Sequence, residues 1–132
     1  MNIVISNSSS IKLYEQIENA IKMEILNGNA EPGEPLPSIR SLAKELKVSI
    51  ITTKWAYEEL EKEGYIETVV GKGTFVSTYN SERLREAALC EFENKFADII
   101  ASAKELGLSL DECIEILKDL YGEVWSLWML YR

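Results

Sequence analysis

Arg40, Lys44, Lys47 and Lys54 stand within residues 40–54 with Glu45 as the only carboxylate, a local charge of +3 in a chain whose net charge is −8. Cations at that density bind anions, and a polyphosphate is the anion that engages several of them at once. Proton-transfer chemistry has less to work with. The sequence holds no histidine, which removes the commonest general base, nucleophile activator and metal ligand. The two cysteines, Cys90 and Cys113, are far apart and lack Cys-x-x-Cys spacing. Neither a zinc site nor a disulfide framework is expected of them, and both read as small buried apolar residues. An enzyme is therefore not expected, and no cofactor is called for.

The elements that must position the cations follow from periodicity. Tyr14, Ile17, Ile21 and Ile25 recur at helical spacing within Leu13 to Leu26, and Gly28 supplies a left-handed stop. Residues 31–37 hold all three prolines of the chain, a density that no helix or strand interior tolerates, so this stretch is a rigid extended connector. Ser38 then caps a short helix whose Ile39, Leu42, Ala43 and Leu46 form an apolar stripe. After Lys47-Val48-Ser49 a second helix runs to Gly64, burying Thr53, Ala56, Tyr57 and Leu60. Two helices joined by so short a turn form a helix-turn-helix. Tyr65 to Val70 and Thr74 to Ser77 are β-branched and aromatic around Gly71-Lys72-Gly73, a hairpin with its turn, in the position of a wing.

From Ser81 onward the pattern changes. Leu89, Phe92, Phe96, Ile99, Ala103 and Leu106 alternate steps of three and four up to Gly107, the seam of a helix packed lengthwise on a partner. Ser109 to Glu112 reads as a capping box before a further helix carrying Ile114, Leu117, Leu120 or Tyr121, and Val124. The aromatic tail contains Trp125 and Trp128, read as core or subunit interface. The expected fold is mainly α, a winged helix-turn-helix domain over residues 1–80 followed by a small antiparallel two-helix dimerisation module over residues 81–132. The start of the chain has no charged leader before an apolar segment, and no run is long enough to cross a bilayer, so a cytoplasmic protein without a membrane partner is expected.

Leu13-Tyr14-Glu15-Gln16-Ile17, Glu31-Pro32-Gly33, Leu36-Pro37-Ser38-Ile39-Arg40, Leu42-Ala43-Lys44-Glu45-Leu46, residues 56–64 (AYEELEKEG) and Gly71-Lys72-Gly73-Thr74-Phe75-Val76 together resemble the DNA-binding domain of the GntR family. The match spans nearly all of residues 11–77. The short helical remainder resembles the YtrA subfamily in length and pattern more than in motifs. The resemblance implies a bacterial transcription regulator, most often a repressor, that binds a pseudo-palindromic double-stranded operator as a homodimer and controls an adjacent operon, transporter operons among them. It also implies DNA contacts from Arg40, Lys54, Lys72 and Gly73.

The residues themselves extend that list. Glu58, Glu59 and Glu61 would repel phosphate, so Ser49, Ile50, Ile51, Thr52 and Lys54 at the start of the second helix form the reading surface, with Ser38, Lys47 and Thr74 beside it. The acid lies elsewhere, −5 over residues 81–132 and −3 over residues 1–80. Ile50, Ile51 and Trp55 depart from the family pattern, where polar or basic residues are usual. Isoleucine there can pack on thymine methyls. The same apolar residues, with the acidic net charge, suit a rival reading as a winged-helix protein-interaction adaptor. Dimerisation is expected from Leu89, Phe92, Phe96, Ile99, Ala103, Leu106, Leu117, Trp125 and Trp128. A small-molecule effector, where one acts, is expected at a subunit or domain interface, because some 50 residues cannot enclose a drug-sized pocket alone.

Overall fold

The computed structural model describes residues 3–78 and 81–130, with side chains as far as residue 122. Its elements run α1 (Leu13–Leu26), α2 (Ile39–Leu46), α3 (Ile50–Lys62), β1 (Ile66–Val69), β2 (Gly73–Val76), α4 (Ser81–Glu105) and α5 (Leu110–Leu130). The chain divides into two units, Met1–Ala87 and Ala88–Arg132, so the first two turns of α4 belong with the first unit. Among the described residues no helix is long and apolar enough to cross a membrane.

In the first unit α3 is the central element, packed against α1, α2 and β1. Its Thr53, Ala56, Tyr57 and Leu60 are buried, the four positions that the sequence periodicity marks. Ile17 and Ile21 of α1, Leu42 of α2, Ile66 of β1 and Val76 of β2 close the core around them. Leu84 of α4 packs against its edge. Thr53 is polar and fully buried, and its Oγ1 donates to the Ser49 carbonyl at 3.2 Å, so the hydroxyl enters the core already partnered.

The proline-rich connector does more than span a gap. Leu36 N donates to Thr74 O at 2.9 Å, Val76 N to Glu34 O at 2.8 Å and Gly33 N to Val76 O at 2.8 Å, so the connector lines the outer edge of β2. Pro35 has no N–H to contribute, and Glu34 and Leu36 on either side carry the pairing. The wing itself is an antiparallel pair with Ile66 opposite Val76 and Val69 opposite Gly73.

A partly buried ion pair ties the two longest helices of this unit together. Lys22 of α1 meets Glu18 at 3.0 Å and Glu63, at the end of α3, at 2.6 Å, and its ammonium lies 5.4 Å from the Tyr65 ring centroid. Burial pushes the Glu18 carboxyl above its usual value despite Lys22 beside it. Burial would lower the Lys22 ammonium, but its two carboxylate partners outweigh that and hold it above its usual value.

In the second unit Gly107, at φ +74°, ends α4, and α5 begins with the expected capping box. Ser109 Oγ accepts from Glu112 N at 3.1 Å, and Ser109 N donates back to Glu112 Oε1 at 3.3 Å. Within the single chain most of the apolar seam is open. Leu89, Phe92, Ile99, Leu106 and Leu117 are exposed, Phe96 is half-buried 5.8 Å from the Phe92 ring, and Ala103 alone is buried. The side chains of Trp125 and Trp128 lie outside the described residues. Cys90 is exposed, contrary to the buried position expected for it, because it falls outside the three-four seam; Cys113 is half-buried and both thiols are free.

Tyr57 Oη donates to the Pro37 carbonyl at 2.7 Å, joining α3 to the residue before the α2 cap, and burial raises its hydroxyl to about 12. Tyr57→Phe should cost about 1–2 kcal/mol in chemical denaturation, because the half-buried carbonyl loses its donor. The sign of the pH effect follows from the raised value. Between the ordinary 10.0 and about 12 the unfolded tyrosine ionises while the folded one keeps its proton, so wild-type stability falls across that window. The difference between wild type and Tyr57→Phe should shrink as pH rises through it.

Candidate nucleic-acid interface

The turn between α2 and α3 is built without glycine. Val48 N bonds to Ala43 O at 3.0 Å and Lys47 N to Lys44 O at 3.3 Å, the paired bonds of a Schellman motif, with Lys47 left-handed at φ +58°. The same paired bonds end α3 and α4, where glycines 64 and 107 occupy the left-handed position. At Lys47 the chain accepts backbone strain and exposes a cation between the two helices.

Hydroxyls then start both helices. Ser38 Oγ accepts from Ser41 N at 3.1 Å, and Ser49 Oγ accepts from Thr52 N at 3.0 Å and bonds Thr52 Oγ1 at 2.8 Å. Ser38, Ser49 and Thr52 therefore spend their side-chain oxygens chiefly on the helix starts, and these bonds fix where the following side chains point.

The face of α3 opposite its buried stripe is open. Ile50 is 46% exposed and Ile51 59%, which excludes their folding back into the core, and Lys54 is exposed with only a loose 3.8 Å pairing to Glu58. The first turn of α3 carries no acid. Arg40, near the start of α2, is exposed as well. At the wing, Lys72 N bonds to Val69 O at 3.0 Å with Gly71 at φ +80°, a type II turn. Gly73, placed in the turn by the sequence pattern, is instead the first residue of β2, at φ +122°, and Thr74 beyond it is half-buried.

Val70 is the residue the sequence reasoning missed. It is 96% exposed at the wing tip beside Lys72. The signal was present in Val69-Val70-Gly71-Lys72, because a glycine at the third position of a type II turn puts the residue before it at the outermost corner. Away from this surface, the first unit holds a largely apolar cavity of about 480 Å³ walled by Ile25, Leu26, Val76 and Leu84. Among the described residues no group of acidic, cysteine or histidine side chains could hold a metal ion.

A helix with one face in the core and the other open, preceded by a second helix across a three-residue turn and followed by a two-stranded hairpin, defines a winged helix-turn-helix protein. Residues 13–76 match the model of the bacterial regulatory proteins of the gntR family. The chain is 35% identical to the HTH-type transcriptional repressor YtrA of Bacillus subtilis over 92% of its own length and 94% of the relative's. A GntR family transcriptional regulator from Listeria monocytogenes has the same fold at a TM-score of 0.72 and 30% identity, covering 87% of this chain and 98% of that one. The DNA-binding domain of AraR, solved in complex with operator ORX1, superposes at a TM-score of 0.52 and 26% identity, covering 58% and 96%. The chain belongs to the GntR family and is YtrA-like over nearly its whole length, and these relatives are transcription regulators, not enzymes.

Lys47→Gly separates strain from charge. Glycine relieves the left-handed backbone, so stability should hold or rise by up to about 1 kcal/mol in thermal unfolding. The salt dependence of DNA binding should weaken by about one unit of slope if the ammonium neutralises a phosphate. An unchanged slope removes Lys47 from the interface.

Proposed function

We propose that this chain represses transcription by binding a pseudo-palindromic operator as a homodimer, with the start of α3 in the major groove and the wing on the adjacent backbone. The observation that carries this reading is the open, acid-free first turn of α3, presenting Ile50, Ile51 and Lys54. Hydrocarbon gains in the major groove at a thymine methyl, and a lysine suits the O6 and N7 acceptors of guanine. Arg40, Lys47 and Lys72 supply phosphate or groove contacts, and Gly73 allows close backbone approach to the minor groove. YtrA, the relative matched over nearly its whole length, is by name a repressor.

The second copy is expected on α4 and α5. Leu89, Phe92, Phe96, Ile99, Ala103, Leu106 and Leu117 form an apolar seam largely uncovered in one chain, and a second seam related by a two-fold axis would bury it. Dimerisation then sets the spacing of two half-sites.

Specificity is tested on duplexes selected by the wild-type protein from a random pool. The half-site should combine one or two A·T steps with a nearby G·C pair. Replacing thymine by uracil at those steps should lower affinity about 2- to 5-fold per methyl, the loss expected for one buried methyl group. No loss at any step would remove the two isoleucines from sequence reading. Selection of no duplex at all would favour the adaptor reading.

Assembly is tested separately. Light scattering should give about twice the 15.0 kDa chain mass, and Phe96→Glu should move the protein toward monomer. A wild-type monomer at micromolar concentration would overturn the dimer.

A further inference from the structure

Beyond the acid-free turn, α3 presents Trp55, 54% exposed on the same face as Ile51 one turn earlier. A large indole left in water on a helix with a buried face elsewhere gains nothing for folding through that exposed half. It is nonetheless not free to swing. The Tyr14 ring of α1 meets it edge-on, with centroids 6.0 Å apart and planes at 84°, and Lys12 stands 5.9 Å from the Tyr14 centroid. The start of α1 and the middle of α3 thus form one aromatic patch.

Resting on the operator-binding reading above, we propose that Trp55 is a further DNA contact, its ring packed on a deoxyribose at the groove wall, with Tyr14 as the residue that positions it. The recess beside the ring is lined by Lys12 as well as by Glu58 and Glu59, and two carboxylates against one ammonium leave it net negative, which disfavours a phosphate oxygen. They leave the apolar faces of the sugar as the part of the backbone that the indole can cover. An aromatic ring held in place before binding loses little rotamer freedom when the partner arrives, which is what makes such residues strong anchors. The cationic residues and Trp55 then divide the work: charge for the phosphates, hydrocarbon for the sugar.

The division makes the test specific. On the selected duplex, Trp55→Ala should weaken binding about 5- to 20-fold with the slope of affinity against salt unchanged, while Trp55→Phe keeps most of the affinity. Tyr14→Leu should weaken it less, and the Tyr14→Leu, Trp55→Ala double variant should be no weaker than Trp55→Ala. The thermal unfolding midpoint of Trp55→Ala should stay near wild type, which separates a contact from a structural role. Arg40→Ala, run alongside, should weaken binding and lower the slope. Wild-type affinity for Trp55→Ala with Arg40→Ala weakened overturns this inference and leaves the operator reading standing. A Trp55→Ala loss accompanied by a reduced salt slope overturns the sugar contact in favour of a phosphate one. If neither variant changes binding, this inference fails together with the placement of α2 and α3 on the duplex, while selection of no duplex at all is what defeats the operator reading.

Discussion

The first unit depends on the burial of one face of α3. Thr53, Ala56, Tyr57 and Leu60 carry that face, and every other element of the unit is placed by what it lays against them. Ile17 and Ile21 bring α1, Leu42 brings α2, and Ile66 and Val76 bring the wing. With that face fixed, a helix of 13 residues has only one other to show, and Ile50, Ile51, Lys54 and Trp55 occupy it. The surface proposed to meet DNA is thus the remainder left by the core.

Polar groups refine what packing roughly sets. The Ser38 and Ser49 caps fix the first turns of α2 and α3, the Tyr57 bond to Pro37 ties the second half of α3 to the residue before the α2 cap, and the Schellman turn at Lys47 shapes the link between the two helices. Each is worth about 1 kcal/mol, yet together they fix how the exposed side chains at the starts of α2 and α3 are held. Lys22, between Glu18 and Glu63, plays a similar part at the far end of α3, pinning its last turn to α1.

Charge is partitioned rather than balanced. A chain at −8 binds a polyanion only if its cations are gathered where the polyanion lies, and residues 40–54 gather them. Glu58 and Glu59 begin the acidic part of α3 after the open turn, and in the proposed binding mode they would limit how far the helix enters a groove. Large apolar residues also stand exposed, Trp55 on α3 just before that boundary and Val70 at the wing tip.

The helix spans, the Ser38 cap, the hairpin, the capping box at Ser109 and the cationic stretch are legible in the chain alone, because each rests on interactions within a few residues or on a period of 3.6 or 2. The family followed from the same local spacings. Relations between segments distant in the chain are not legible there. Periodicity could not say that residues 33–36 pair along β2, that Lys22 reaches Glu63, or that Tyr14 braces Trp55. Nor could it say whether Ile50 and Ile51 were core or surface, since two adjacent apolar residues at a helix start fit either pattern. Their exposure is settled by which face of α3 the other elements cover, and that coverage is a property of the packed core, beyond the reach of any local stretch of chain.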